Sequence, residues 1–333
     1  MEALHEQLAW TRTFRADPEP RSSRLLHYHR RWIARRSGPP RLIEAPKAGL
    51  KQIQQRLLHG LLDHVPAHPA AHGFVRGRGI TTLAAPHRGT ACVLRLDLRD
   101  FFASITRRRV RAVFSALGYP VDTAQHLAAL STVATPLPLL RELLHAGAAG
   151  AALHERLRQP HLPQGAPSSP ALANLVAFRL DARLAGLARR FGASYTRYAD
   201  DLLFSGGAEF ARGSARCAEW VAKIVTQEGF ALAAAKTRRM RQGTRQHAAG
   251  MVLNVHAAVS RAERDQLEAQ LHNCVQRGPS TQNRAGIADL RGHLRGRIAH
   301  VRHCHAPHTN HLQALFDRID WSRGTTSASQ HRR

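Results

Sequence analysis

Two aspartates side by side, Asp200 and Asp201, follow Tyr198 and Ala199 and lie between two short β-type runs, Ala193 to Tyr198 and Leu202 to Ser205. That context places the pair at the tip of a tight hairpin. Adjacent carboxylates repel each other, and a fold holds them together chiefly where a cation neutralises them. Mg²⁺ is the first such cation to consider, and its chemistry with paired acids is two-metal phosphoryl transfer. A further carboxylate must then arrive from elsewhere in the chain. Asp97 can supply it, at the end of the strand-like run Val93-Leu94-Arg95-Leu96. By itself a strand-end aspartate usually only caps the next turn, so its reading depends on the set.

Between the two acidic sites, Leu162-Pro163-Gln164-Gly165-Ala166-Pro167-Ser168-Ser169-Pro170 forms a rigid turn that leads into a helix. Such a loop presents backbone N–H groups and the Gln164 amide to a nucleotide or a template base. It reads equally as a helix entry, with Ser168 or Ser169 as the cap and Pro170 in the first turn. Around these motifs, apolar periodicity predicts helices over Leu50 to His64, Thr106 to Leu130, Ala171 to Arg190 and Phe210 to Glu228, with one or two short helices in 134–160. Ala91 to Leu98 reads as a buried strand, and Phe230 to Leu232 and Gly250 to Asn254 as further strands. His72 to Gly79, rich in Gly and Arg, reads as a loop or hairpin facing phosphate. Residues 1–40 read as a helical extension ending in a Pro-rich joint at Pro39 and Pro40. The chain is helical from Ser260 onward, with a disordered tail over 323–333. Interleaved strands and helices of this kind make an α+β fold, an antiparallel sheet backed by helices.

The 333 residues hold 49 Lys and Arg against 23 Asp and Glu, a formal charge of +26. Self-repulsion on that scale points to a polyanionic partner, and the excess of Arg suits bidentate phosphate contacts. A GC-rich genome would explain Arg in place of Lys but not the net sign. Cys92, Cys217, Cys274 and Cys304 have no paired spacing, which argues against a disulfide framework and a zinc ribbon. His300, His303, Cys304, His305, His308 and His311 read as surface RNA contacts rather than a zinc site. The charged N-terminus has no apolar leader and no run approaches a membrane span, so the expectation is a cytoplasmic protein with no membrane partner.

The ordered series LDLRDFFASI (96–105), LPQGAPSSP (162–170), YADD (198–201), AAAKT (233–237) and AAGMVLN (248–254) resembles the palm of a reverse transcriptase, most closely the bacterial retron branch. Two upstream segments, 45–54 and 72–79, resemble that family's finger motifs, and LRGHLRGRIAHV (290–301) resembles its thumb. The likeness covers about residues 41 to 320. It implies a right-hand polymerase architecture: fingers over 41–92, palm over 93–254 with a helical insertion at about 134–160, and a helical thumb over 255–322.

The same resemblance implies roles. Asp97, Asp200 and Asp201 would hold two Mg²⁺ ions, with Mn²⁺ as a substitute. Phe102 matches the steric-gate position that disfavours a ribose 2′-OH. Gln164 and Gly165 would line the nucleotide and template pocket, and Arg76 and Arg78 would contact the triphosphate. Lys236 would protonate the leaving pyrophosphate, and Tyr198 would pack under the primer end. The implied partners are a structured noncoding RNA that serves as template and primer, its cDNA product, dNTPs and an effector protein. Retron enzymes start DNA from the 2′-OH of an internal guanosine, giving branched RNA–DNA (msDNA), commonly in anti-phage defence.

Two elements depart from the family pattern. Leu83-Ala84-Ala85-Pro86-His87 stands where an Asn-Ala-x-x-His element is usual, and Ala248-Ala249-Gly250 where Val-Thr-Gly is usual. Both have been linked to recognition of the cognate RNA, so that specificity is the property they place in doubt. The 134–160 insertion would lie near the palm–fingers junction, placed for a partner protein or structured RNA. The rival readings are another bacterial reverse transcriptase (group II-like, diversity-generating or abortive-infection), a catalytically silent RNA-binding scaffold, and a two-metal nuclease. The last explains neither Phe102 nor the 162–170 loop.

Overall fold

The strand that must carry Asp97 is buried at nearly every position, and it lies at the heart of a sheet. A computed structural model describes residues 27–33, 41–145, 151–254, 258–304 and 309–322. These fall into two compact units, one ending at Thr244 and the other starting at Arg245.

In the first unit, strands β1 (Tyr28–Ile33) and β2 (Arg41–Pro46) pair antiparallel, Tyr28 opposite Pro46 and Arg30 opposite Glu44. Residues 28–33 therefore correct the helical reading of the N-terminal extension. A charged run flanked by prolines looks helical or irregular by composition. Its pairing is set instead by the partner strand and by Arg30 Nε donating to Glu44 Oε1 at 3.0 Å. Residues 1–26, the Pro-rich joint at 34–40 and the tail at 323–333 lie outside the described residues.

Helix α1 (Ala48–Gly60) follows, then the short α2 (Ile80–Ala84) and strand β3 (Cys92–Asp97). Contrary to its apolar period, α1 turns Ile53 outward, 46% exposed, and buries Gln54, whose amide donates to Tyr28 Oη and the Leu130 carbonyl. The helix expected over 106–130 is two, α3 (Arg107–Ala116) and α4 (Val121–Ser131), broken where Gly118 takes φ +90° and Pro120 caps the next turn. The insertion carries α5 (Leu137–His145) and α6 (Ala151–Arg158), and Leu140 and Leu157 pack with Leu42 of β2 in a small core of their own.

Helices α7 (Ser169–Val176) and α8 (Phe178–Arg190) replace the single helix expected over 171–190. Then come β4 (Ala193–Tyr198), β5 (Asp201–Gly206), α9 (Ala208–Gln227) and β6 (Arg238–Arg241). The four strands form one antiparallel sheet in the order β4-β5-β3-β6. Alternation sends Leu94, Leu96, Leu202 and Phe204 to one face, where they join Leu172, Leu180, Leu184, Phe210 and Val221 in the main core. Strand β6 is missing from the sequence reading because three of its four residues are arginines, a composition suited to a sheet edge. The strand expected at Phe230 to Leu232 is only a bridge between Leu98 and Leu232.

The second unit opens with a three-stranded sheet, β7 (His247–Ala248), β8 (Met251–Val252) and β9 (Ala258–Val259), so the strand read over 250–254 shortens to two residues. Helices α10 (Arg261–Arg277), α11 (Leu290–Cys304) and α12 (Thr309–Asp317) complete it around Leu267, Leu271, Leu294, Ile298, Leu312 and Phe316. Ser260 caps α10 by accepting from the Glu263 amide. No helix among the described residues is long and apolar enough to cross a membrane.

Candidate active site

Sheet register brings the acids together. Asp97, the last residue of β3, sits opposite Asp201, the first of β5, and Tyr198 sits opposite Asp201 across the hairpin. The turn between the strands is Ala199 and Asp200, with Ala199 in the left-handed region at φ +52°. The amide of Leu98, next to Asp97, donates to the Asp200 carbonyl at 2.8 Å, which ties the turn to the end of β3. Three carboxylates from two distant motifs thus share one end of one sheet.

Their charge is partly neutralised from within. Lys236 Nζ donates to both oxygens of Asp97 at 2.9 and 2.8 Å. The Arg95 guanidinium grips Asp201 with Nε to Oδ1 at 3.0 Å and Nη2 to Oδ2 at 2.9 Å. Burial, then the neighbouring charges of Asp97 and Asp201, pushes Asp200 up to about 6. Burial also raises Asp201, against the pull of Arg95. Among the described residues no three His, Cys, Asp or Glu side chains are already gathered as a metal cage, because Asp97 and Asp201 are turned to their cations. The donor set still suits a hard divalent ion: carboxylate oxygens only, with a central acid whose ionisation is held back by burial first and by like charge second.

Beneath the turn lies a charge pair that sequence reasoning missed. Arg197 and Asp181 are fully buried, joined by Nε to Oδ1 at 2.8 Å and Nη2 to Oδ2 at 2.6 Å. Tyr195 Oη donates to the same carboxylate at 2.8 Å, and Arg197 Nη1 donates to the Ala199 carbonyl at 3.1 Å. The core-facing arginine therefore holds the carbonyl of the left-handed residue that aims the two aspartates. The missed signal was parity: Arg197 is two residues from Tyr195 on β4 and so shares its face, the apolar one.

The 72–79 segment is a loop, as expected, and it is docked on the Ala199–Asp200 turn. A Cβ on Gly73 would lie 2.9 Å from the Ala199 amide nitrogen, and Asn174 Nδ2 donates to the Gly73 carbonyl at 2.9 Å. The same loop places Phe74 within 6.3 Å of Phe102 and 6.1 Å of Tyr198, ring centre to ring centre. Arg76 is exposed. Arg78 donates to the carbonyls of His68, Pro69 and Ala71, so its guanidinium braces the loop.

Gln164 and Gly165 dock on β2: the Glu44 amide donates to the Gln164 carbonyl at 2.9 Å, and a Cβ at Gly165, φ +132°, would meet the Glu44 carbonyl at 3.1 Å. Glu44 is itself buried among Arg30, Thr135 and His161, each within 3.0 Å of its carboxylate. Burial alone would raise it, but His161 and Arg30 outweigh that and hold it below the usual carboxylate range. Ser168 occupies the cap position of α7 and Pro170 its first turn, yet neither the Ser168 nor the Ser169 hydroxyl makes a hydrogen bond.

His87 lies inside the protein, its two nitrogens 2.6 Å from Ser205 Oγ and 2.8 Å from Thr196 Oγ1. Burial lowers it to about 3, so the ring bridges β4 and β5 as a neutral imidazole. Leu83 is buried as well, so this element presents a core face at both positions. Ala248-Ala249-Gly250 makes the β7–β8 turn, with Ala249 and Gly250 both at positive φ. All four cysteines are buried and free, and Cys304 lies in the second unit's interior rather than at a surface contact. His305 and His308 lie outside the described residues.

A family model described as Reverse transcriptase (RNA-dependent DNA polymerase) matches residues 33–252. The chain is 44% identical over 279 residues to the retron Mx65 reverse transcriptase of Myxococcus xanthus, covering 84% of this chain and 62% of that protein. It is 38% identical to the retron Mx162 reverse transcriptase of the same organism, over 80% of this chain and 56% of that one. Against the retron Ec86 reverse transcriptase of Escherichia coli the identity is 31%, over 75% of this chain and 72% of that protein. The chain thus spans less than two thirds of the two Myxococcus proteins. With its acids, its sheet and these relatives in agreement, the chain belongs to the reverse transcriptase family, in the retron branch.

Proposed function

We propose that the chain is an RNA-directed DNA polymerase that copies a structured noncoding RNA into DNA from dNTPs. The observation that carries this reading is the convergence of Asp97, Asp200 and Asp201 at one sheet end. In this reading those residues hold two Mg²⁺ ions, for which Mn²⁺ can substitute. Bound there, the ions would supply an activated primer hydroxyl and neutralise the triphosphate and its leaving pyrophosphate. Arg95 and Lys236 occupy the carboxylates of Asp201 and Asp97 before loading. Lys236, more than half exposed, is the group that can carry a proton to the leaving group. Gln164 and Gly165 position the base pair, Tyr198 supports the primer end, and Phe102 sets sugar preference. Arg76 remains the cation for the triphosphate.

The finer reading is retron priming: DNA begun from an internal guanosine 2′-OH, a branched RNA–DNA product, and a cytoplasmic role in anti-phage defence with an effector protein. The retron relatives and the basic charge of +26 support it. The test is to express the gene with its native upstream sequence and look for a discrete small DNA whose mobility shifts after RNase and debranching treatment. A branched species that disappears in Asp200→Asn/Asp201→Asn is the expected result. DNA synthesis on an added primer–template without that species would keep the polymerase and remove the retron priming. Undiminished synthesis in the double variant would remove the metal assignment.

A further inference from the structure

Phe74 is an aromatic residue that packing does not explain. Its side chain is 45% exposed and takes no place in the main core. Its backbone sits at φ +61°, a region that large side chains avoid. Conformations of that kind persist only where the surroundings over-determine them, and they gather at functional sites. Of the four non-glycine residues with positive φ among those described, three (Phe74, Asp100 and Ala199) belong to the segments that make up the candidate active site.

The surroundings do over-determine this one. Gly73, just before it, is pinned between the Asn174 amide and the Ala199 backbone. His72, before that, donates its amide to the Arg197 carbonyl at 2.8 Å. Downstream, Arg78 fastens the loop to three carbonyls. A rigid mount therefore displays an aromatic ring to solvent. That ring stands at 63° to Phe102 and at 42° to Tyr198. Three rings from three separate motifs converge: one from the loop, one from the segment after Asp97, one from the residue before the catalytic turn.

We infer that Phe74 is a specificity-determining residue: with Phe102 and Tyr198 it forms a three-ring notch that takes the deoxyribose of the incoming nucleotide and disfavours a ribose. This rests on the polymerase reading and deepens it. Phe74 and Phe102 touch edge to face and carry no polar side-chain atom, so a 2′-OH pressed into the corner they make loses its water and gains no partner from either ring. A methylene at the same position meets only apolar surface. A hydrophobic site of this kind discriminates against an added hydroxyl by about 100-fold. Phe102, half-buried and fixed against Phe101, forms the floor of the notch. Phe74 forms the outer wall.

The experiment is single-nucleotide insertion on a defined primer–template by the full chain, comparing each dNTP with its rNTP in wild type, Phe74→Ala, Phe74→Leu and Phe74→Tyr. The deoxy-to-ribo ratio of kcat/KM is expected to fall about tenfold in Phe74→Ala, as one wall of a two-wall notch. The loss should come through a raised KM for dNTP together with better rNTP use. Phe74→Leu falls between, and Phe74→Tyr, which keeps the ring but gives a 2′-OH a hydroxyl to pair with, also lowers the ratio. Because Phe74 is exposed, the alanine variant is expected to fold, and its thermal midpoint checks this. A ratio within twofold of wild type in a folded Phe74→Ala overturns the assignment while leaving the polymerase intact. A wild-type protein that extends no primer removes the polymerase reading and this inference with it.

Discussion

Asp181 and Arg197 meet on the core side of the four-stranded sheet with neither side chain exposed, whereas Lys236 and Arg95 meet Asp97 and Asp201 at its open end, the two cations 52% and 27% exposed. The distances hardly differ, from 2.6 to 3.0 Å in every case. What differs is the alternative available to each group. Lys236 and Arg95 reach water, so either can let go at little cost to itself. The carboxylates they leave, Asp97 7% and Asp201 24% exposed, sit where a metal ion can take the cation's place. Arg197 and Asp181 reach neither water nor another ion, so their pairing is effectively permanent. One pair can therefore anchor a backbone carbonyl for the life of the fold, and the others can be exchanged during a reaction. Bond length alone would not have separated these roles.

The contrast fails most visibly, if it fails, at Arg197. Arg197→Met leaves Asp181 charged inside the core and is expected to cost about 3–5 kcal/mol in denaturant unfolding. Asp181→Leu together with Arg197→Met should recover much of that loss. A single variant within about 1 kcal/mol of wild type would erase the distinction. Glu44 provides an intermediate case, buried like Asp181 but shared among Arg30, Thr135 and His161. Glu44→Gln is expected to cost about 1–3 kcal/mol at pH 7.

The pH dependence of that cost has a definite sign. Since the folded protein holds Glu44 below its usual value of 4.5, its contribution is present above pH 4.5 and lost as pH falls through the lower folded value. The gap between wild type and Glu44→Gln should therefore close on acidification. A gap that widens below pH 4.5 would contradict the assignment.

The smallest effect on stability is expected at the open end. Lys236→Gln, which leaves an amide donor beside the buried Asp97, should cost about 1 kcal/mol in unfolding. Its effect should instead be on metal. With Asp97 freed from its lysine, Mn²⁺ binding followed by electron paramagnetic resonance is expected to tighten severalfold. Unchanged or weaker binding would mean that Lys236 does not compete for that carboxylate.

The acids were legible in the sequence because their chemistry is unusual: adjacent aspartates need a reason wherever they lie. Strand β3 was legible because its residues alternate well enough to read as a buried strand, and the helices because most of their apolar positions recur at helical spacing. Residues 28–33 and 238–241 were not, since each is rich in charge and becomes a strand only through a partner far away in the chain. Arg95 and Arg197 were hidden among so many arginines that residue type carried no information. Only the pleat, which sends Arg197 inward to Asp181 and Arg95 across to Asp201, tells them apart. His87 shows the same limit, because a family motif marked the residue while only the sheet revealed its interior position.

The contact at Gly73 carries a consequence of its own. A methyl group there would lie 2.9 Å from the Ala199 amide nitrogen, so the loop and the Ala199–Asp200 turn meet with no slack between them. They share a single reference point, much as a gauge is zeroed against the face it measures. Any change that lifts the loop also tilts the acids. If the three rings select the sugar as inferred above, exchanging a ring side chain would retune that choice alone, whereas remodelling the backbone that bears them would disturb the acids as well.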